Sequence, residues 1–422
     1  MRLLSVLPII IFSSLFTACD WFTPSHTIVF THNTNGYLED CGCSGHKNGG
    51  LHRRMAIFAT ASVADRDAIY LDGGDVLSTY YRFPLRDKYV AEIMMMLQYD
   101  AIGVGEQDLI NGLGFYDRWM APLPMTSANL TNLGKSARVV KRKGEQVAII
   151  SLIDPQLLDI LPDSTRSQLI VADPSTILAA VLAELEKKEI RNVILLSHLG
   201  LFQDKQMAEQ FPQLSLIISA HDQDVRDSLW VVNETPIVQN GPDGERVGVL
   251  EGKFIDGKFR MDHFNRILLD STIYGDSLVW AKINKYYAET DSVQPDLKPE
   301  LMGNVSVENC GSCHKAITDQ WLTSGHAHAF ETLKNAGMEK DSDCLTCHTT
   351  HYGDVNYFRN TQETSGWVNV HCQQCHEVHV DPTAKRCTVT RDRTAEKDCR
   401  TCHTPERSPA FDYKTYLLKA HG

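Results

Sequence analysis

Cysteine and histidine residues near the C-terminal end of the chain repeat the pattern Cys-x-x-Cys-His. Its four copies begin at Cys310, Cys344, Cys372 and Cys399. In such a motif two thiols can bind the vinyl groups of a haem covalently, and the adjacent histidine binds the iron. A single copy could instead be half of a zinc site or a redox dithiol. Four copies that all keep the histidine favour four covalently attached haems c.

The motifs define the residues that attach the haems and one axial ligand for each iron. The attachment cysteines are Cys310, Cys313, Cys344, Cys347, Cys372, Cys375, Cys399 and Cys402. The proximal histidines are His314, His348, His376 and His403. Residues 306–422 also contain His326, His328, His351, His371, His379 and His421, but Met338 as their only methionine. Because methionine ligation raises the potential of a haem, this composition predicts mostly bis-histidine, low-potential haems.

The stretch from Trp321 to Ala329, the motif spacings and the end near His421 resemble the tetrahaem cytochrome c that relays electrons from hydroxylamine oxidation in nitrifiers. The resemblance covers nearly all of residues 306–422. It implies that His326 is a distal ligand to a haem other than its neighbour, and that His379 and His421 are two more. One haem of that family is five-coordinate; here His351 or His371 could cap the fourth iron. Cys387 has no assigned role.

The polypeptide around the motifs is short for the number of haems. About 29 residues per motif cannot bury a conventional apolar core, so the porphyrins must fill it. We therefore expect a small, mostly α-helical, haem-organised domain, with short helices after each motif and long loops.

The first residues predict export. Arg2 precedes an apolar run from Leu3 to Phe16, which is short for a membrane span and typical of a signal peptide. Residues 15–19 resemble a bacterial lipobox, which implies lipidation of Cys19 and, with Asp20, retention at the inner membrane. Ordinary cleavage or an uncleaved anchor are the alternatives. Haem c attachment also takes place outside the bacterial cytoplasm, so both ends of the chain predict the periplasmic side of a membrane.

Residues 25–270 alternate apolar strand patterns with helical ones. The predicted strands are 27–30, 68–71, 147–153, 193–196 and 216–219, and the predicted helices are 89–98 and 175–189. Buried strands that alternate with helices indicate a layered α/β domain. A helix over 274–287 and a linker complete residues 271–305, before the haem domain of 306–422.

The loops after these strands resemble the signature of metallophosphoesterases, and the whole is similar to the catalytic domain of periplasmic 5′-nucleotidases. The matching segments are 31–37, 72–75, 99–108, 197–200, 220–223 and 236–241. That family holds two metal ions that activate water and clamp a phosphate. At its ligand positions this chain has Asn33, Asn35, Glu106, Gln107 and Gln223. Only Asp75, His198 and His221 remain as expected ligands, for a single divalent metal at most, because an amide binds divalent cations poorly.

A Cys-Gly-Cys pair lies in the loop after the first predicted strand. Cys41 and Cys43 resemble the pair of a 5′-nucleotidase-like family that carries Cys-Gly-Cys or Cys-Gly-selenocysteine there. A disulfide between thiols one residue apart would be strained and labile, which suits a redox role. The pair could instead bind a soft metal with His32 or His46, or be structural.

These features lead to three functions. The first is electron transfer between periplasmic or membrane redox proteins, with the α/β domain as a docking or redox module. The second is a reductase that uses Cys41 and Cys43 or an open haem as its substrate site. The third is phosphoester hydrolysis, which the lost ligands disfavour. The net charge of −12 argues against a nucleic-acid partner.

Overall fold

The computed structural model describes residues 23–40, 48–78, 84–222, 225, 229–292, 307–311, 314–340, 342–352, 358, 365–381, 386–392, 394–404 and 407–421. The chain divides into two compact units, and the boundary lies between Asp276 and Ser277. The first unit contains the α/β domain that the sequence predicts. Within the described residues, no helix is long and apolar enough to span a membrane.

Two six-stranded sheets form the first unit. Their strands, in chain order, are β1 His26–Thr31, β2 Ile69–Asp72, β3 Ala101–Gly103, β4 Met125–Thr126, β5 Ala137–Arg142, β6 Glu145–Ile153, β7 Asn192–His198, β8 Leu216–Ser219, β9 Trp230–Val232, β10 Thr235–Val238, β11 Arg246–Ile255 and β12 Lys258–Leu268. The first sheet has the order β12-β11-β1-β2-β3-β4, and the second has the order β5-β6-β7-β8-β10-β9.

The centre of each sheet is parallel and its edges include antiparallel strands. Strands β1 to β4 run parallel, and β11 pairs antiparallel with β1. In the second sheet β6, β7, β8 and β10 run parallel. The strand β7 is buried along almost its whole length, which explains its continuous apolar sequence. This parallel arrangement brings the carboxyl ends of the central strands to one edge of each sheet.

One apolar core lies between the two sheets. Phe30 and Leu71 of the first sheet belong to the same buried cluster as Ile149, Ile194 and Ile218 of the second. A second cluster covers the other face of the second sheet, where helices pack against it. Burial of both faces makes the second sheet the centre of a layered α/β structure.

The helices of the first unit are α1 Leu51–Ala64, α2 Pro84–Leu97, the short turns α3 Leu113–Phe115 and α4 Asp163–Arg166, α5 Pro174–Lys187 and α6 Leu201–Gln210. The start of α5 follows local rules. The Asp173 side chain accepts a hydrogen bond from the Thr176 amide, and Pro174 occupies the first turn. Leu178, Leu182 and Leu185 form its buried face.

Five strands and three helices that the sequence predicts are present, with ends that differ by a few residues; the helix predicted over 274–287 spans Ser277–Ser292. The strand Leu216–Ser219 has the predicted bounds, whereas the helix predicted over 89–98 begins earlier, at Pro84. The division of the strands between two sheets was not predicted, because local patterns do not show which strands pair.

The second unit is built from short helices. They are α7 Ser277–Ser292, α8 Val307–Gly311, α9 Lys315–Trp321, α10 Ala329–Ala336, α11 Ser342–His348, α12 Cys372–Cys375, α13 Glu396–Cys399 and α14 Tyr413–His421. An antiparallel hairpin of β13 His376–Asp381 and β14 Arg386–Asp392 was not predicted. At least one cysteine of every motif lies within a short helix, in α8, α11, α12 and α13. The expectation of a helix after every motif is wrong at the third, where β13 follows directly. Alternating Val378 and Val380 favour a strand there.

Candidate functional site

The candidate site of the first unit lies where the parallel strands end. Asn33 follows β1, Asp75 follows β2 and Glu106 follows β3, whereas His198 ends β7 and His221 follows β8. Ligands of open α/β sheets bind outside the carboxyl ends of the strands. The fold therefore collects residues from both sheets at a position that suits a ligand.

Three non-glycine residues in the loops at this edge have an uncommon backbone conformation. Asn33, Asn35 and Asp75 have positive φ angles of 50°, 51° and 55°. The Asn33 amide donates to the Gly74 carbonyl (3.0 Å), and the Asn35 amide donates to the Asp75 carbonyl (2.9 Å). Non-glycine residues in this conformation cluster at functional sites, where the surrounding structure holds them.

Asp108 joins the loops after β2 and β3. Its carboxylate accepts hydrogen bonds from the amides of Asp75 (3.1 Å), Val76 (2.8 Å) and Gly105 (2.9 Å). Gly105 must be glycine, since a Cβ atom there would collide with the Asp75 carboxylate. Asp108 thus positions both Asp75 and Glu106 without lying among the converging ligand atoms.

Glu106, His198 and His221 form the only three-residue cluster of potential metal ligands found among the described residues. One ligand atom from each lies within 4.8 Å of the others. The Nε2 atom of His198 is 3.1 Å from Glu106 Oε2 and 3.2 Å from Asp75 Oδ2. Two imidazoles and two carboxylates therefore converge on a small volume.

The electrostatics of this cluster favour positive charge at His198. Burial alone would lower the pKa of His198, but Asp75 and Glu106 together raise it well above its ordinary value. Burial raises the pKa of Asp75 despite its contact with His198. A proton on His198 thus offsets part of the negative charge of Asp75 and Glu106, as a bound cation would.

The structure brings together all three predicted ligands of the α/β domain and adds one. Asp75 and His198 are buried, and the ring centre of His221 lies 5.2 Å from that of His198. Glu106 was counted as a lost position because the related family has an amide there. Its carboxylate was the available signal, since carboxylates are metal ligands in their own right.

The amides at the remaining family positions are buried. Oδ1 and Nδ2 of Asn33, and Oδ1 of Asn35, have no hydrogen-bond partner among the residues that the structure describes. The Gln107 side chain donates to Asp75 Oδ2 at 2.9 Å. Gln223 lies outside the described residues, as do Cys41, Cys43 and His46.

His32 has a structural contact rather than a demonstrated soft-metal role. Its Nε2 accepts a hydrogen bond from the Asn240 amide at 2.8 Å. Burial lowers the pKa of His32 to about 3, with further lowering by His198 and Arg54, so its ring is neutral. The hypothesis that His32 joins Cys41 and Cys43 in a metal site remains a prediction.

In the second unit, two motif histidines are held as axial ligands usually are. His348 Nδ1 lies 2.7 Å from the Ala329 carbonyl, and His403 Nδ1 lies 2.9 Å from the Ser408 hydroxyl. A metal-binding histidine typically uses its second nitrogen in such a hydrogen bond, which orients the ring. The Nε2 atoms of these two residues fit an iron ligand role.

His326 faces the histidine of the fourth motif. The ring centres of His326 and His403 are 6.0 Å apart. Because a metal–imidazole bond is about 2 Å long, a metal between two imidazoles separates their ring centres by about 6 Å. The distance fits one haem iron, and the pairing joins His326 to a motif other than its neighbour.

The other histidines outside the motifs divide into two groups. Nε2 of His351 contacts the Gln373 carbonyl and Nε2 of His371 contacts the Val368 carbonyl, each at 2.7 Å. His328 is exposed, and its Nε2 lies 3.0 Å from the Leu322 carbonyl. The side chains of His379, His421 and Cys387 lie outside the described structure, as do residues 1–22 with Cys19, and Cys313.

Cysteines of different motifs come together in pairs. The Cys310 thiol is hydrogen-bonded to that of Cys372, and the Cys347 thiol to that of Cys402. One small buried apolar cluster in the described part of this unit consists of Phe330, Leu333, Cys344, Leu345 and Phe358. A core this small fits a polypeptide that large apolar prosthetic groups complete.

Comparisons with solved structures decide the fold of the first unit. A 5′-nucleotidase precursor from Thermus thermophilus aligns with a TM-score of 0.56 and 23% identity, over 74% of this chain and 68% of that one. The calcineurin-like phosphoesterase YfkN from Bacillus subtilis aligns with a TM-score of 0.54 and 16% identity, over 63% of this chain and 98% of that one. The first unit has the 5′-nucleotidase-like metallophosphoesterase fold.

Sequence comparisons agree with this fold. The 5′-nucleotidase of Homo sapiens is 24% identical over 309 residues, which are 63% of this chain and 53% of the relative. That of Rattus norvegicus is 24% identical over 73% of this chain and 61% of the relative. The chain thus spans little more than half of these metallophosphoesterase relatives.

The second unit resembles a different family. The family model described as Cytochrome c554 and c-prime matches residues 309–377. This match contains the first three Cys-x-x-Cys-His motifs. The chain therefore combines a metallophosphoesterase fold with a cytochrome-like segment.

Proposed function

We propose that this protein is an exported multihaem c-type cytochrome that transfers electrons through four covalently bound haems. The observation that carries the proposal is the fourfold Cys-x-x-Cys-His motif in a segment that matches a cytochrome family. The haems supply one-electron chemistry, and the polypeptide binds, orients and shields them. The α/β domain then acts as a docking or redox module.

The contacts around the motif histidines support this proposal. Hydrogen bonds at Nδ1 of His348 and His403 leave Nε2 of each ring for iron. His326 stands where it would supply the sixth ligand to the iron of His403. A bis-histidine iron has no open position, which favours electron transfer over substrate binding at that haem.

The paired thiols support a short route for electrons. Cys310 and Cys372 belong to the first and third motifs, and Cys347 and Cys402 belong to the second and fourth. Haems attached to neighbouring thiols would lie close together in two pairs. The proposed partners are periplasmic or membrane redox proteins, and the acidic charge argues against nucleic acid as a partner.

A pyridine haemochrome assay on the purified full-length protein tests the haem count. Four haems per chain are expected, and the intact mass of the protein should exceed that of the polypeptide by the mass of four haems. A clearly smaller number in protein made by a strain that matures other multihaem cytochromes would contradict the proposal.

The second hypothesis is a reductase with an open haem or a Cys41–Cys43 substrate site. The Nε2 contacts of His351 and His371 with backbone carbonyls favour this reading, since each occupies a nitrogen that would bind iron. Spectroscopy with nitric oxide distinguishes the two. A high-spin haem that binds nitric oxide favours a reductase, and uniformly low-spin iron favours a relay.

Phosphoester hydrolysis is a third candidate, favoured by the Glu106–His198–His221 cluster and by relatives named 5′-nucleotidase. Asn33, Asn35 and Gln107 disfavour it, because they replace charged or imidazole groups of the two-metal site. Release of phosphate from AMP, measured with added Mn²⁺ and lost in His198→Ala, would favour hydrolysis. If no phosphate is released from AMP under conditions in which a control 5′-nucleotidase is active, hydrolysis is ruled out and the two redox proposals remain.

A further inference from the structure

The site of the first unit does not fit the pair of metal ions that its fold family uses. The half of the site formed by Asn33 and Asn35 offers neutral amides, and three of their side-chain atoms have no partner among the described residues. An amide nitrogen cannot bind a cation, and an amide oxygen carries no net charge. Neither amide therefore supplies a charged ligand, and the Asn35 Nδ2 atom donates a hydrogen bond to Asp243 Oδ1 at 2.8 Å.

The other half has more charge than the related family has there. Glu106 supplies a carboxylate at a family amide position, and the Asp75 carboxylate lies 3.2 Å from the same His198 nitrogen that Glu106 contacts at 3.1 Å. The two carboxylates carry a formal charge of −2 in a buried site. Burial of such charge is costly without compensation, and one divalent cation would provide it.

The ligand types also indicate which ions fit. Imidazoles suit zinc, iron, copper and nickel, and carboxylates suit manganese, whereas magnesium and calcium require complete sets of oxygen ligands. Glu106, His198 and His221 present two imidazoles and one carboxylate within 4.8 Å, a combination that commonly binds Fe(II) with open positions.

We propose that Asp75, Glu106, His198 and His221 bind one first-row divalent transition-metal ion, and that the position beside Asn33 and Asn35 binds none. The Asn33 and Asn35 amides then lie beside a mononuclear centre. Their unpartnered oxygen and nitrogen atoms are available to a small polar ligand at its open positions. This centre is independent of the proposed haems and is present whether or not the chain transfers electrons.

Manganese binding to the full-length, haem-loaded protein tests the stoichiometry, because manganese is counted separately from haem iron. Protein stripped of loosely bound metal with a chelator is titrated with Mn²⁺, and free Mn²⁺ is measured by electron paramagnetic resonance. One Mn²⁺ per chain is expected. A tenfold excess of Mg²⁺ should not displace this Mn²⁺ from the site. Binding of two ions, or of none, by the wild-type protein would overturn the proposal.

Substitutions locate the ion. Glu106→Gln should weaken Mn²⁺ binding at least tenfold while the circular dichroism spectrum is retained. The matched control is Glu145→Gln, which removes another partly buried carboxylate beside an imidazole, that of His26, far along the chain from the cluster. Equal affinity of Glu106→Gln and wild type would place the ion elsewhere.

A restoring variant tests the reason for the single ion. Asn33→Asp, Asn35→His and Gln223→His together return the ligand types that the related family has at these three sequence positions. Two Mn²⁺ ions per chain are expected in this variant, and a stoichiometry of one would show that the amides do not limit binding.

Discussion

Single side chains decide what chemistry this chain can support. Glu106 converts a neutral family position into a carboxylate beside His198, whereas Asn33 removes charge from the neighbouring position. In the second unit, His326 and His403 come from separate motifs and face each other. In both units, the identity of one or two side chains determines which ligands fit.

Replacement of His326 tests its proposed role as a distal ligand. We expect His326→Ala to convert one of the four haems from low-spin to high-spin iron and to leave the other three unchanged, because only one iron loses its sixth ligand. Electron paramagnetic resonance measures the change. His328→Ala is a close control, since His328 is exposed and contacts a backbone carbonyl. A fully low-spin His326→Ala protein would rule out this ligand assignment.

Asp204 predicts a pH dependence of stability. Burial raises the pKa of Asp204 to about 7 from 3.8, although a hydrogen bond from Ser197 lowers it. The folded protein therefore holds this proton more tightly than the unfolded chain. Its stabilising contribution is complete below about pH 4 and is lost as the pH rises through about 7.

Asp204→Asn should remove this dependence. Relative to the variant, the wild type should lose at most about 4 kcal/mol of unfolding free energy between pH 4 and pH 8. Denaturant unfolding followed by circular dichroism measures the difference. Glu209→Gln, an exposed change in the same helix α6, should keep the wild-type slope. If the unfolding free energy of Asp204→Asn depends on pH as steeply as that of the wild type, Asp204 is not the group responsible.

At the scale of elements, loops rather than strands build the site. The sheets bring the ends of β1, β2, β3, β7 and β8 to one edge, and Asp108 ties two of the following loops together. Its carboxylate satisfies backbone amides that are otherwise buried without a partner. The geometry of Asp75 and Glu106 therefore depends on a residue that need not touch a ligand.

Asp108→Asn tests this positioning role. An amide has only one oxygen to accept these hydrogen bonds, so we expect a loss of about 1–3 kcal/mol in unfolding free energy. We also expect weaker Mn²⁺ binding, measured in the folded variant. The control Asp117→Asn, at an exposed position nearby, should change neither quantity. If Asp108→Asn is less stable but binds Mn²⁺ with the affinity of the wild type, Asp108 stabilises the fold and does not position the metal ligands.

At the scale of the whole molecule, a hydrolase fold and a cytochrome-like segment share one chain. We propose that both lie on the periplasmic side of a bacterial membrane, with a lipid on Cys19 as the anchor. Export would supply the compartment in which haem c is attached, and anchoring would keep the proposed haems near membrane redox partners.

Replacement of Cys19 tests the anchor. Cys19→Ser should move the protein from the membrane fraction to the soluble periplasmic fraction or leave an unprocessed precursor, because no thiol remains for lipidation. Immunoblots of separated cell fractions measure the distribution. Cys387→Ser serves as a control for loss of a single cysteine outside the motifs. Membrane association that persists after correct cleavage of Cys19→Ser would exclude a lipid anchor.

Local features of this protein could be predicted from its sequence alone. Continuous apolar stretches predicted the buried strands, because a strand with both faces covered has no polar side. Apolar residues at helical spacing likewise predicted the helix over 175–189, and the spacing within each Cys-x-x-Cys-His motif predicts the haem-attachment residues. All of these signals involve neighbours within a few positions along the chain.

Contacts between distant residues required the folded chain. Glu106 was assigned to a lost ligand position, and its carboxylate joins His198 and His221 only because strands of two sheets end at the same edge. The pairing of His326 with His403 and the hairpin of β13 and β14 also depend on contacts between separated segments. Sequence patterns report the burial and conformation of a segment, whereas a site depends on the distances between segments, and packing sets those distances.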